Sequence, residues 1–147
     1  MPICSKILPK GSWDRATDHV VLDYDARILR RKRLDTAGGG SFMVDLPQTV
    51  SLNEGDAFAL IDGRIIEVRA AIEPVAVITG DLPRLAWHIG NRHTPCEIAD
   101  THLIIRRDHV LEAMLTGLGA QLSVQIAPFR PEGGAYGHGR TFGHSHD

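Results

Sequence analysis

Apolar positions change their period once along this chain, near residue 73. Before that point they alternate or run together as strands do. The stretch HVVLDYDARILRRKRL (19–34) is rich in β-branched and apolar residues, with a turn expected at Asp23–Asp25. SFMVDL follows the glycine run Gly38–Gly40 as another strand. FALIDGRIIEVRAA (58–71) predicts a hairpin, with Asp62-Gly63 as a two-residue type I′ turn. No helical period occurs before residue 80.

After AIEPV (71–75) strands and helices mix. VAVIT predicts a short buried strand. Asp81 is a helix N-cap, with Pro83 tolerated in the first turn. Leu82, Leu85, Ala86 and Ile89 recur at helical spacing, and Gly90 supplies the C-terminal stop. CEIAD and HLIIR read as two short strands. Asp108 caps a second helix whose apolar face is Val110, Leu111, Met114, Leu115 and Leu118. QLSVQIA is a final strand. The order βαββαβ predicts a ferredoxin-like domain with helices on one face of an antiparallel sheet. The expected architecture is therefore α+β: an N-terminal β domain over 1–73, a ferredoxin-like domain over 74–128, and a tail over 129–147. The tail, PFRPEGGAYGHGRTFGHSHD from Pro128 onward, is glycine-rich and poor in apolar residues. It cannot bury enough surface to offset its ordering entropy and is expected to be flexible.

Composition narrows the chemistry. The formal net charge of -2 over 147 residues gives no global attraction to nucleic acid or anionic membranes. No apolar run approaches a signal peptide or a membrane span, which places the protein in the cytoplasm. Two cysteines, Cys4 and Cys96, are too few for a disulfide framework. RILRRKR (27–33) carries five basic residues without interleaved aromatics. A solvated strand is its simplest reading, a docking surface for an acidic partner the next, and nucleic acid the weakest. DTAGGGSF lacks the Lys-Ser/Thr pair of a phosphate loop and reads as a turn.

Histidine is the compositional oddity. Of 8 in the chain, His138, His144 and His146 fall in the last ten residues, where burial cannot explain them. His144-Ser145-His146 puts two imidazoles within chelating reach, as in metal-binding tracts. Imidazole suits nickel, zinc or copper. HIGNRHTPC (88–96) adds two histidines and a cysteine where the first helix should end. His93 falls in the loop beyond that helix, near a C-terminus whose dipole favours a cation. The spacing is not a zinc-finger spacing. A Cys/His nucleophile built from His88, His93, Cys96 and Glu97, a zinc-dependent enzyme, and a plain peptide-binding chaperone are the competing readings. One fixed loop ligand plus mobile tail ligands suits capture and release of an ion better than catalysis.

These residues resemble a known family. HIGNRHTPCEI, followed by DHVLEAML, PEGGAYGHGR and a histidine-containing end, closely resembles UreE, the urease accessory nickel chaperones. LDYDARILRRKRL and DGRIIEVRAA are similar to that family's first domain. The resemblance covers essentially the whole chain. It implies a β domain similar to peptide-binding modules and a ferredoxin-like metal-binding domain that forms a homodimer. It further implies Ni2+ as cargo, with Zn2+ or Cu2+ able to take the same donors. His93 would be the principal ligand, meeting its copy at the two-fold axis. His138, or His144 and His146, would add donors. Some members carry a second His-x-His site at the start of the second helix. Here His109 is present but Arg107 stands where its partner would be, so that site is reduced to His109. The implied partners are the urease accessory GTPase and, through it, apo-urease. His102, expected in a strand, and His19 read as structural or incidental.

Overall fold

The computed structural model describes residues 1–133. Within these the chain forms two compact units, Met1–Ala71 and Ile72–Glu132. Expectations about the tail histidines His138, His144 and His146 lie outside the described residues.

The first unit is built from strands and one short 3-10 turn. Its elements are β1 (Ile3–Leu8), β2 (Asp18–Leu22), the 3-10 turn Asp25–Arg27, β3 (Ile28–Asp35), β4 (Ser41–Ser51), β5 (Ala57–Leu60) and β6 (Ile65–Ala70). They form one six-stranded sheet in the order β2-β6-β5-β1-β4-β3. The pairs β1–β4 and β2–β6 are parallel and the rest antiparallel. Alternation sends Val20 and Leu22, Phe42 and Val44, and Ile66 and Val68 into a shared core. Phe42 and Phe58 meet there with tilted rings, centroids 5.2 Å apart.

Two details differ from expectation. The β5–β6 hairpin does not use a two-residue turn. The Leu60 N–H donates to the Arg64 carbonyl and the Gly63 N–H to the Leu60 carbonyl, which makes a three-residue loop. Only Gly63 takes a left-handed φ, at 92°, where a type I′ turn would require Asp62 to share it. A type I turn closed by a left-handed glycine satisfies the same Asp-Gly signal with less strain. The basic run is also shorter than it looked. Arg27 is buried at 2% exposure and donates to the Leu22 carbonyl at 2.9 Å, so only Arg30 to Arg33 form the surface stretch. The glycine turn 36–40 is a turn, as expected. Its Gly38 N–H already faces the Asp18 carboxylate at 3.1 Å, an anion of the chain's own.

The second unit runs β7 (Ile72–Thr79), α1 (Leu82–Asn91), β8 (Glu97–Ile98), β9 (Leu103–Arg106), α2 (His109–Gly117) and β10 (Gln121–Pro128). Its sheet has the order β10-β7-β9-β8 with every neighbour antiparallel. Leu85 and Ile89 of α1 and Leu111 and Leu115 of α2 pack on Ala76, Ile78, Leu103 and Ile105. The Asp81 cap is present, accepting from the Arg84 N–H. The expected face of α2 is only partly internal. Val110 is 68% exposed and Leu118 lies beyond the last turn as C-cap, while Leu111 and Leu115 are buried and Met114 packs beside them. In β10, Val124 and Ile126 are exposed although they alternate like core residues.

Asp56 is the buried acid of the first unit, 2% exposed. Its carboxylate accepts from the Lys10 N–H at 3.0 Å and the Asn53 N–H at 2.8 Å, tying the β1 exit to the β4–β5 loop. Replacing Asp56 by Ala leaves two amides without their charged acceptor. The variant should lose about 2–3 kcal/mol in urea unfolding, an estimate for hydrogen bonds to charged groups.

Candidate metal centre

α1 runs one residue past Gly90, which stays right-handed inside the helix. The reversal falls on His93 instead. Arg92 is the C-cap, and His93 takes φ 57°. It is the one non-glycine residue with positive φ among the described residues. The His93 N–H donates to the Gly90 carbonyl at 2.9 Å and the Thr94 N–H to the Ile89 carbonyl at 3.4 Å. This pair of bonds is a Schellman motif, and His93 occupies the position that normally holds glycine. Pro95 explains why the turn falls there. It disfavours a helical Thr94, so the chain must leave the helix before that residue. The result is an exposed imidazole at the negative end of a helix.

The remaining candidates separate. His88 is half-buried and edge-on to Trp87, ring centroids 5.0 Å apart. Trp87 itself is 62% exposed. His102 shares a hydrogen bond with the Thr101 hydroxyl at 3.0 Å, and His19 lies half-buried in β2. Cys96 packs against the second core, and burial pushes its thiol up to about 11. A thiol held protonated by burial is a poor nucleophile, which argues against a Cys/His catalytic pair.

His109 is the first residue of α2 and is exposed. The residues around it form a tight cap. The Asp108 carboxylate accepts from the Leu111 N–H at 3.0 Å, and Glu112 reaches back to the Asp108 N–H at 2.7 Å. Arg107 grips Glu112 through two bonds of 2.9 and 3.1 Å. Arg107 thus clamps the start of α2 through Glu112. Sequence reasoning missed this clamp; the spacing Arg107…Glu112 was its signal. The clamp and the His93 loop share one end of the unit. Thr94 and Pro95, just after His93, and Arg106, Arg107 and Asp108, just before His109, line a single cleft of about 200 Å³. The antiparallel β8–β9 pair brings these two loops together. Among the described residues no group of three His, Cys, Asp or Glu side chains converges on one point.

Comparison with known proteins decides the relationship. The UreE urease accessory protein, N-terminal domain, matches residues 4–71, and the UreE urease accessory protein, C-terminal domain, matches residues 65–147. The chain belongs to the UreE family of urease accessory proteins. It is similar to the urease accessory protein UreE of Paracoccus denitrificans, at 72% identity over 94% of this chain and 89% of that one. The UreE of Rhodobacter capsulatus is 63% identical over 97% and 91% of the two chains. That of Ruegeria pomeroyi is 57% identical over 99% of both. Membership implies a role in urease maturation as an accessory protein and not as an enzyme. No helix among the described residues is long and apolar enough to cross a membrane.

Two predictions follow from the local geometry. His93→Gly removes the strain of a left-handed side-chain-bearing residue, an effect only partly offset by the larger unfolded-state entropy of glycine, so it should stabilise the metal-free protein by roughly 0.5–1 kcal/mol. His93→Val should instead cost about 1 kcal/mol or more, since a β-branched residue tolerates that φ worst. Denaturant midpoints measured without metal check both signs.

The second concerns pH. The Arg107 hydrogen bonds hold the Glu112 carboxyl below its ordinary value, with the Asp108 N–H and the charge of His109 adding to the effect. A depressed folded value contributes stability that is full above the unfolded glutamate value and is lost as pH falls through the folded one. The gap in stability between wild type and Glu112→Gln should therefore be widest at neutral pH. It should close as pH falls below about 4.

Proposed function

We propose that the protein is a homodimeric, cytoplasmic nickel chaperone that captures Ni2+ and delivers it to the urease maturation complex. The observation that carries this reading is His93, a histidine kept in a left-handed turn position that glycine would fill at lower cost. Its imidazole is exposed, at the helix end that favours a cation. Relatives named as urease accessory proteins supply the setting.

A single histidine cannot hold nickel in place, and the described part of one chain brings no third donor to it. The missing donors come, in this reading, from outside that part: His93 of a second copy across a two-fold axis, and His138, His144 and His146 of the tail. An isologous interface brings identical residues together without further design. We read the βαββαβ unit as ferredoxin-like and as the dimerising half, with the tail histidines as exchangeable donors. The tail expected over 129–147 is not free at its start: Phe129 is wholly buried, the Arg130 N–H donates to the Glu97 carboxylate at 2.8 Å and the Glu132 N–H to the Cys96 carbonyl at 2.8 Å. The domain limits 1–73 and 74–128 belong to the same reading. His109, across the cleft from the His93 loop, is the candidate for a second, weaker site. Zn2+ and Cu2+ can use the same imidazoles. Release follows when the accessory GTPase, and through it apo-urease, competes for exchangeable ligands. No residue is assigned a catalytic role.

Nickel titration by calorimetry, with molar mass by light scattering, tests the proposal on wild type, His93→Ala, His93→Gly and a chain ending at Arg130. About one tight ion per dimer is expected from a two-fold site. It should vanish in both His93 variants and weaken on truncation. Because His93→Gly is expected to be the more stable fold, its loss of binding cannot be blamed on unfolding. Normal binding by the His93 variants would make the tail an independent chelator and overturn the shared site.

A further inference from the structure

The basic stretch Arg30-Arg31-Lys32-Arg33 has no part in metal binding, and its place in the sheet gives it another use. β3 is the outermost strand, eight residues long and without proline. Leu29 and Leu34 anchor it to the core at either end of the basic stretch. Among the described residues no strand pairs with its outer side. In an antiparallel pair alternate residues point their N–H and C=O groups at the partner, so the other half of the β3 main chain points away from β4.

The other outer strand is treated differently. β2 is closed off by the 36–40 turn: the Ala37 N–H donates to the His19 carbonyl at 2.9 Å and the Gly38 N–H to the Asp18 carboxylate. Among the described residues β3 has no such cover. It carries four exposed cations against two nearby carboxylates, Asp45 on Arg31 at 3.0 Å and Asp35 on Arg33 at 3.6 Å. Arg30 sits at the register shift between Leu29 and Arg31 and donates to the Leu46 carbonyl at 3.2 Å. From Arg31 to Asp35 the ladder with β4 is regular, so the outer edge is straight where Lys32 lies.

We propose that the outer edge of β3 docks an extended acidic segment of a partner protein, which adds to the sheet beside Arg30 to Arg33. Like charges repel a second copy of the same edge, while cross-strand pairing with Glu or Asp is favourable. Main-chain hydrogen bonds provide the affinity in this mode of recognition and side chains select the partner. A single-stranded nucleic acid would want aromatic platforms, and the stretch has none. The inference does not depend on the metal site.

The test uses the full chain and a fluorescein-labelled peptide of alternating Glu and Val, read by fluorescence anisotropy. Three comparison probes are the same peptide with Lys for Glu, the same peptide with alternate amides N-methylated, and an oligothymidine. The acidic peptide should bind best and weaken several-fold from about 50 to 200 mM salt, as screening of exposed charges requires. Lys32→Glu should weaken it roughly fivefold and Lys32→Gln less, the scale of one cross-strand charge pair. Nickel binding should not change. Amide exchange should slow in β3 and not in β2. Equal binding of the N-methylated peptide would mean charge attraction without strand addition and would overturn the proposal. So would preference for the oligothymidine, or no binding at all with the charge serving only to keep edges apart.

Discussion

The end of α1 is the constraint on which the candidate site depends. A helix can continue only while each residue is free to be helical, and Pro95 withdraws that freedom from Thr94. The last helical residue is Asn91, so the chain has two residues in which to turn. Arg92 caps and His93 reverses, with the Ile89 and Gly90 carbonyls satisfied by the Thr94 and His93 amides. These bonds fix the His93 backbone without using its imidazole. Ile89, one turn earlier, is wholly buried and anchors the helix to the sheet. The imidazole is therefore presented by a rigid element although it lies on the surface. A ligand on a free loop would lose more entropy on coordination.

This constraint was half legible in the sequence. The periodicity of Leu82, Leu85, Ala86 and Ile89 gave the helix, and Asp81 gave its start. Its end is legible in Pro95, which biases Thr94 away from the helix, but the stop expected at Gly90 falls on His93 because glycine permits a left-handed turn and does not demand one. What demanded the turn was Pro95, acting from two residues beyond it. The same distinction explains the β5–β6 hairpin. Asp62-Gly63 signalled a turn correctly, but only the count of loop residues separates a type I′ turn from a type I turn with a left-handed glycine, and that count is set by the pairing of Leu60 with Arg64. Local chemistry names the turn residues; partner strands decide the register.

Charge was legible only as composition. Five basic residues in RILRRKR looked like one patch, yet Arg27 goes inside to a carbonyl and the other four line an edge. The 3-10 turn between β2 and β3 causes the split, since it rotates Arg27 under the sheet before the strand begins. Arg107 shows the converse. Read by analogy it was a missing histidine; in the fold it is the residue that clamps Glu112 against the start of α2. Arginine at that position completes the cap and offers no imidazole donor. His109 is left at a helix start, where the dipole opposes a cation but favours the neutral ring that a metal needs.

The proposed mechanism turns on what the described residues of one chain do not bring together. If the described residues offered three converging donors, one chain could hold an ion tightly, and giving it up would require unfolding or a stronger ligand. Were the donors divided between two copies and the tail histidines, as proposed, affinity would depend on protomer concentration and each donor could leave separately. Binding that stabilises only the assembled form also shifts assembly toward itself by mass action. A partner that captures one imidazole at a time faces a series of small barriers in place of one large one. The strained His93 fits this logic, because glycine would fill its left-handed position at lower cost and the imidazole is exposed there.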